Sequence, residues 1–133
     1  GNCGTGAQDL LAGLLSMHDK TGPGDILIAK ANCGIPEYID GAIRYNGTPE
    51  LMADFTRLAR DLGARIIGGC CGTSAEHVRA MREALDEGER GAVPDLAAIV
   101  GKVGALTGST ADLFAAPGEE KPGSRRGKRP RRG

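Results

Sequence analysis

A chain of 133 residues that is 40% hydrophobic and 3% aromatic, with 22 Gly, 7 Pro, 4 Cys and no Trp, has enough apolar content for one domain with a core. Wholesale disorder is therefore excluded, and no stretch approaches the ~18 unbroken apolar residues of a membrane-spanning helix. The formal net charge of zero hides a split: residues 117–133 carry 7 basic and 2 acidic side chains, so residues 1–116 are acidic by the same margin. The chain opens on Gly1-Asn2-Cys3-Gly4, without a start methionine or a basic–apolar–small leader, and this opening reads like the middle of a motif. A fragment of a cytoplasmic protein is the expectation.

Elements follow in chain order. Thr5 and Gln8 have the spacing of a capping box, and Leu10, Leu11, Leu14, Leu15 and His18 then share one helical stripe that Thr21-Gly22-Pro23-Gly24 stops. Ile26 to Ala31 is a short, nearly continuous apolar run, as expected of a strand covered on both faces. Residues 37–47 show no clear period and read as a long loop. Thr48 and Pro49 open the next helix, with Leu51, Met52, Phe55, Leu58, Ala59 and Leu62 on its apolar face and Gly63 at its end. Ala64 to Ile67 is a second strand, running into Gly68-Gly69-Cys70-Cys71-Gly72. Thr73 and Glu76 repeat the capping-box spacing ahead of a stripe of Val78, Met81 and Leu85, and residues 94–103 allow one more short helix. Beyond Gly104 the composition turns to Gly, Ser, Thr, Ala and Pro. We expect residues 1–104 to be the folded domain and residues 105–133 a flexible basic tail. Such tails can hold phosphate through counterion release, but this one has no aromatic residue for base stacking, and a nucleic-acid role is not expected.

Alternating helices and strands argue for an α/β fold with parallel strands. In such folds the ends where strands run into helices share one face, where ligands bind. Each strand-end loop carries cysteine in similar dress: Asn2-Cys3-Gly4, Asn32-Cys33-Gly34 and Cys71-Gly72. Without an export signal these cysteines are not a disulfide framework, and no Cys-x-x-Cys pair is present for a zinc ribbon. Spacing leaves three readings open: a thiolate metal site, inert core cysteines, or a vicinal redox pair. In the first, Cys70 and Cys71 can both face one ion only if the backbone turns sharply there, which the flanking glycines permit, and Cys3 would add a third sulfur. His18 closes an apolar stripe and His77 sits in a first helical turn, so neither is favoured as a ligand.

Asn2-Cys3-Gly4, Asn32-Cys33-Gly34-Ile35-Pro36 and Gly68-Gly69-Cys70-Cys71-Gly72-Thr73 together resemble the homocysteine S-methyltransferase family over about residues 1–100. The stretch from Ala31 to Pro49 looks most like bacterial betaine–homocysteine methyltransferases, with the homocysteine module of cobalamin-dependent methionine synthase close behind. The resemblance implies about three βα units from the C-terminal part of a TIM (β/α)8 barrel. It also implies Zn2+ held by Cys3, Cys70 and Cys71, with homocysteine and a methyl donor such as betaine as partners. Cys33 departs from the family pattern, which usually has a small residue there. A whole barrel takes more than ~200 residues. An N-terminal barrel half or another chain is therefore expected as a partner, and the isolated chain is expected to be inactive. A noncatalytic zinc or redox domain is the alternative.

Overall fold

A computed structural model describes residues 3–115. Its elements are α1 (Ala7–His18), β1 (Leu27–Ala31), β2 (Pro36–Ile39), β3 (Ala42–Tyr45), α2 (Pro49–Asp61), β4 (Ala64–Gly69), α3 (Ala75–Asp86), α4 (Leu96–Val103) and α5 (Gly108–Phe114). β1 and β4 pair in parallel with α2 between them in sequence, while β2 and β3 form a separate antiparallel hairpin. Among the described residues the chain is an α/β domain with two parallel strands, at the two places where the sequence led us to expect them.

The local chemistry of α2 is direct. The Thr48 hydroxyl accepts the Leu51 amide at 3.1 Å, Pro49 occupies the first turn, and Gly63 adopts φ +98 just past the end. Met52, Phe55, Leu58 and Ala59 then line one buried face, and Phe55 is fully enclosed. Burying such a side chain contributes ~1.5–3 kcal/mol. α1 is buried on more than one side, because β1 and α2 pack on it from within and α4 covers it from outside. Ile99 and Val103 of α4 join the same core as Leu11, Leu14 and Phe55.

Neither expected capping residue is the one observed, and only α3 keeps a capping box. Gly6, not Thr5, precedes α1, since the Thr5 carbonyl accepts the Asn32 amide at 3.1 Å. Ser74, not Thr73, caps α3, because Thr73 is folded against Gly69 with its hydroxyl oxygen buried. On α3 the buried residues are Met81 and Ala84, while Val78 is exposed.

Three further expectations change. The loop expected over 37–47 is the β2–β3 hairpin, turning at Asp40-Gly41 with φ +50 and +78. Positive φ at both central residues is the requirement of a tight primed turn, and Asp-Gly satisfies it. The strand expected to be covered on both faces is covered on one. Leu27, Ala29 and Ala31 are buried, but Ile28 is 42% exposed beside its partner Ile66, at 50%. Among the described residues, the helices packed on this sheet lie behind the first set only. Third, where order was expected to fade beyond Gly104, α5 forms. Asp9, almost fully buried on α1, accepts both the Thr107 amide at 2.8 Å and the Thr107 hydroxyl at 2.5 Å, which fixes the start of that helix. The basic residues 117–133 lie outside the described residues.

Candidate metal centre

The parallel strands deliver their C-terminal ends to one face. At the end of β4 the Cys70 amide donates to the Ala31 carbonyl at 2.8 Å, and the Cys33 amide donates back to the Cys71 carbonyl at 2.9 Å. These bonds stitch the ends of β1 and β4 together. Beyond Gly69 the chain turns: the Thr73 amide donates to the Cys70 carbonyl at 3.2 Å, and Gly72 takes φ +78. A side chain at Gly69 would collide with Thr73, so the turn closes only over a glycine. This is the sharp bend that lets two consecutive cysteines face the same way, and their sulfurs lie 3.9 Å apart.

Cys3 arrives from the other side. Its amide donates to the Lys30 carbonyl at 3.0 Å, and its backbone adopts φ +48, a region costly for a residue with a Cβ. Its sulfur stands 3.8 Å from that of Cys71. The ligand atoms of Cys3, Cys70 and Cys71 all lie within 4.8 Å of one another.

The separations discriminate between chemistries. A disulfide needs sulfurs at ~2.05 Å, far closer than either pair. Tetrahedral coordination with metal–sulfur bonds of ~2.3 Å puts neighbouring sulfurs about 3.8 Å apart, which is what the two measured separations approach. The cluster can therefore hold a metal ion with little movement. Cys3 and Cys71 are exposed and Cys70 is half-buried, so the sulfurs form an open cap rather than a closed cage. An open coordination position is the mark of a site that acts on a ligand.

Asn32 organises the cap. It is almost fully buried; its side-chain oxygen accepts the Cys71 amide at 3.3 Å and lies 3.5 Å from the Cys3 sulfur. One amide thus touches both ligand-bearing loops. Cys33 stays apart, fully buried beneath Gly47, where an added Cβ would meet its sulfur at 2.6 Å. Burial pushes the Cys33 thiol up from its ordinary value, as an apolar pocket does to any acid. Tyr45 ends β3 with its ring against Gly72, the residue after Cys71. The neighbouring Cys71 side chain, followed by burial and the other cysteines of the cluster, pushes the phenol up from its ordinary value. Tyr38, by contrast, is 78% exposed.

Neither histidine joins the sulfurs. His18 Nδ1 lies 3.1 Å from the Leu62 carbonyl oxygen, so it carries the proton and donates. His77 Nε2 lies 3.1 Å from the Gly47 carbonyl oxygen, and the Ser74 amide donates to its Nδ1 at 3.1 Å. That pair of bonds defines a neutral ring protonated at Nε2. His77 therefore ties α3 to the segment that carries Tyr45. Sequence reasoning passed over Asn32 and Tyr45. The Asn-Cys-Gly repeated at 2–4 and 32–34 was the available signal for the first.

A cap of three cysteines at the C-terminal ends of parallel strands defines an α/β domain with a candidate metal site. Residues 1–85 match the homocysteine S-methyltransferase family, and the chain belongs to it. The chain is 29% identical over 96 residues to a methionine synthase of Mycobacterium leprae, a match covering 70% of this chain and 8% of that protein. It is 42% identical over 60 residues to an S-methylmethionine–homocysteine S-methyltransferase of Rattus norvegicus, covering 45% of this chain and 16% of the relative. The chain thus spans a small part of the length of these curated relatives. Among the described residues, no helix is long and apolar enough to cross a membrane.

Proposed function

We propose that this chain is the C-terminal part of the barrel of a zinc-dependent homocysteine S-methyltransferase, with Cys3, Cys70 and Cys71 as the zinc ligands and betaine as methyl donor. The observation that carries the reading is the convergence of these three sulfurs within 4.8 Å of one another, in a chain of this family. Bound there, zinc supplies the Lewis acidity that keeps an acceptor thiol ionised at neutral pH, where a free thiol titrating near ~8.5 is almost wholly protonated. An all-sulfur donor set suits this task, since three protein thiolates leave the acceptor sulfur rich in electron density.

The chain's own part is positional. Asn32 and the Gly69–Gly72 turn hold the three sulfurs in a cap whose free side faces outward, and homocysteine sulfur approaches from that side. Its lone pair attacks a methyl carbon of betaine. The S–C bond forms as the C–N bond breaks, and the electron pair leaves with the nitrogen of dimethylglycine; the other product is methionine. In-line alignment of sulfur, methyl and nitrogen supplies much of the rate. The homocysteine module of a methionine synthase is the second reading, favoured by the 96-residue match to the mycobacterial protein.

The exposed face of Ile28 and Ile66 supports a barrel that is completed by preceding strands or another chain. The chain alone is then expected to bind homocysteine without turning over. Calorimetric titration of homocysteine into zinc-loaded and metal-free chain tests the reading. Binding should require zinc and should vanish with homoserine, the oxygen analogue. Equal binding with homoserine, or without metal, would overturn it. Methionine formation from betaine and homocysteine by this chain alone would overturn its proposed incompleteness.

A further inference from the structure

We propose that the cavity at the N-terminal end of the parallel strands, lined by Arg65 and Arg90, binds the phosphate group of a small ligand. It lies at the opposite end of β1 and β4 from the cysteines, and the inference stands independently of the metal-site reading.

The cavity measures about 400 Å³, within the range of small-ligand sites, and lies where α1 and α2 end and β1 and β4 begin. His18, Gly22, Asp25, Gly63, Arg65 and Arg90 are among the residues that line it. Arg57, Arg60 and Arg82 each pair with a carboxylate elsewhere on the surface. Among the described residues Arg65 and Arg90 pair with none, although residues 1–116 are acidic overall. Two cationic residues without partners thus line one cavity. The one carboxylate that lines it, Asp25, accepts the Gly22 amide at 2.8 Å. Gathering like charges costs energy that a bound oxyanion removes, and the guanidinium fork matches phosphate oxygens in pairs.

Local structure brings both arginines here. Leu27 pairs with Ala64 and Ile28 with Ile66, so Arg65 is the extra residue of a β-bulge. Bulges bend a strand and re-aim the side chain left without an opposite number. Arg90 is carried in by its neighbours. Arg60 donates to the Gly88 carbonyl at 2.8 Å and the Gly91 amide donates to Asp61 at 2.8 Å, which ties the segment after α3 to the end of α2. The Arg90 guanidinium then lies over Gly63, where an added Cβ would meet its Nη2 at 2.9 Å. Capping the C-terminus of α2 does not account for the pair. The Leu62 carbonyl is already taken by His18 Nδ1, and neither arginine side chain donates to a carbonyl among the described residues. With Nδ1 so committed, His18 Nε2 is an acceptor for the proton of a P–OH group. Two guanidinium donors beside one acceptor suit phosphate better than an anion that carries no proton.

The test titrates inorganic phosphate into the full chain at constant ionic strength, with residue-resolved NMR separating this cavity from the basic residues 117–133. Signals of His18, Gly63 and Arg65 should shift and saturate. Sulfate, unprotonated at neutral pH, should bind more weakly. Arg65→Gln and Arg90→Gln should each weaken phosphate binding at least ~10-fold, as loss of a charge-assisted hydrogen bond does. Arg79→Gln, on α3 and away from the cavity, should leave it unchanged. Shifts confined to residues 117–133 or to the cysteines, equal affinity for sulfate and phosphate, or unchanged affinity in either Arg65→Gln or Arg90→Gln would overturn the proposal.

Discussion

Gly72→Ala and Gly13→Ala make the same chemical change, and the structure gives them opposite signs. Gly72 has φ +78, where a Cβ costs ~1–2 kcal/mol, and that Cβ would also sit against Cβ and Cγ of Tyr45. Those atoms are next to the strand backbone, so the clash cannot be relieved by swinging a flexible tip. β3 must lift, at the ~1–3 kcal/mol typical of overpacking. The total destabilisation is about 3 kcal/mol, which for a domain of this size lowers the unfolding temperature by on the order of 10 °C. Gly13 lies within α1 and an added methyl there meets nothing within 4 Å. Alanine at that position should stabilise by ~0.5–1 kcal/mol through helix propensity alone. Thermal unfolding followed by circular dichroism, with and without zinc, reads both. Gly72→Ala should also weaken zinc binding, while Gly13→Ala should leave it intact. Equal melting temperatures for Gly72→Ala and the unaltered chain would refute the placement of Tyr45 on the Gly72 turn.

Other consequences follow from burial. Because burial raises the Cys33 thiol, the unfolded chain releases that proton near its ordinary value of 9.0 while the folded chain retains it. The folded state then holds more protons, so this contribution to stability is complete below pH 9 and is lost as pH rises through the raised value. Denaturant titrations of Cys33→Ala should show a shallower loss of stability above pH 9 than the unaltered chain, and its zinc stoichiometry should not change. Asp9→Ala removes both acceptors of Thr107 and should cost ~1–3 kcal/mol. Hydrogen exchange should then quicken at Thr107 and across the start of α5, while the cysteine cap keeps its metal affinity.

What the sequence made legible depended on how each segment is buried. α2 was readable because cap, first-turn proline, apolar face and terminal glycine all agree. The hairpin was not, since β2 is exposed at every residue and β3 at all but Tyr45, leaving no alternation to see. Its one signal was Asp40-Gly41, which carries meaning only between recognised strands. The caps slipped because tertiary contacts claimed Thr5 and Thr73 first. At the centre, the candidate cysteines were visible through their glycine-rich loops and through family resemblance. Asn32 and Tyr45 were not, because their contacts are defined by atoms in three loops that meet only in the folded chain.

X-ray absorption at the zinc edge of the metal-loaded chain tests the central claim most directly. Three sulfur scatterers at ~2.3 Å are predicted, rising to four when homocysteine is added. A first shell of nitrogen and oxygen, or a sulfur count that homocysteine leaves unchanged, would contradict it.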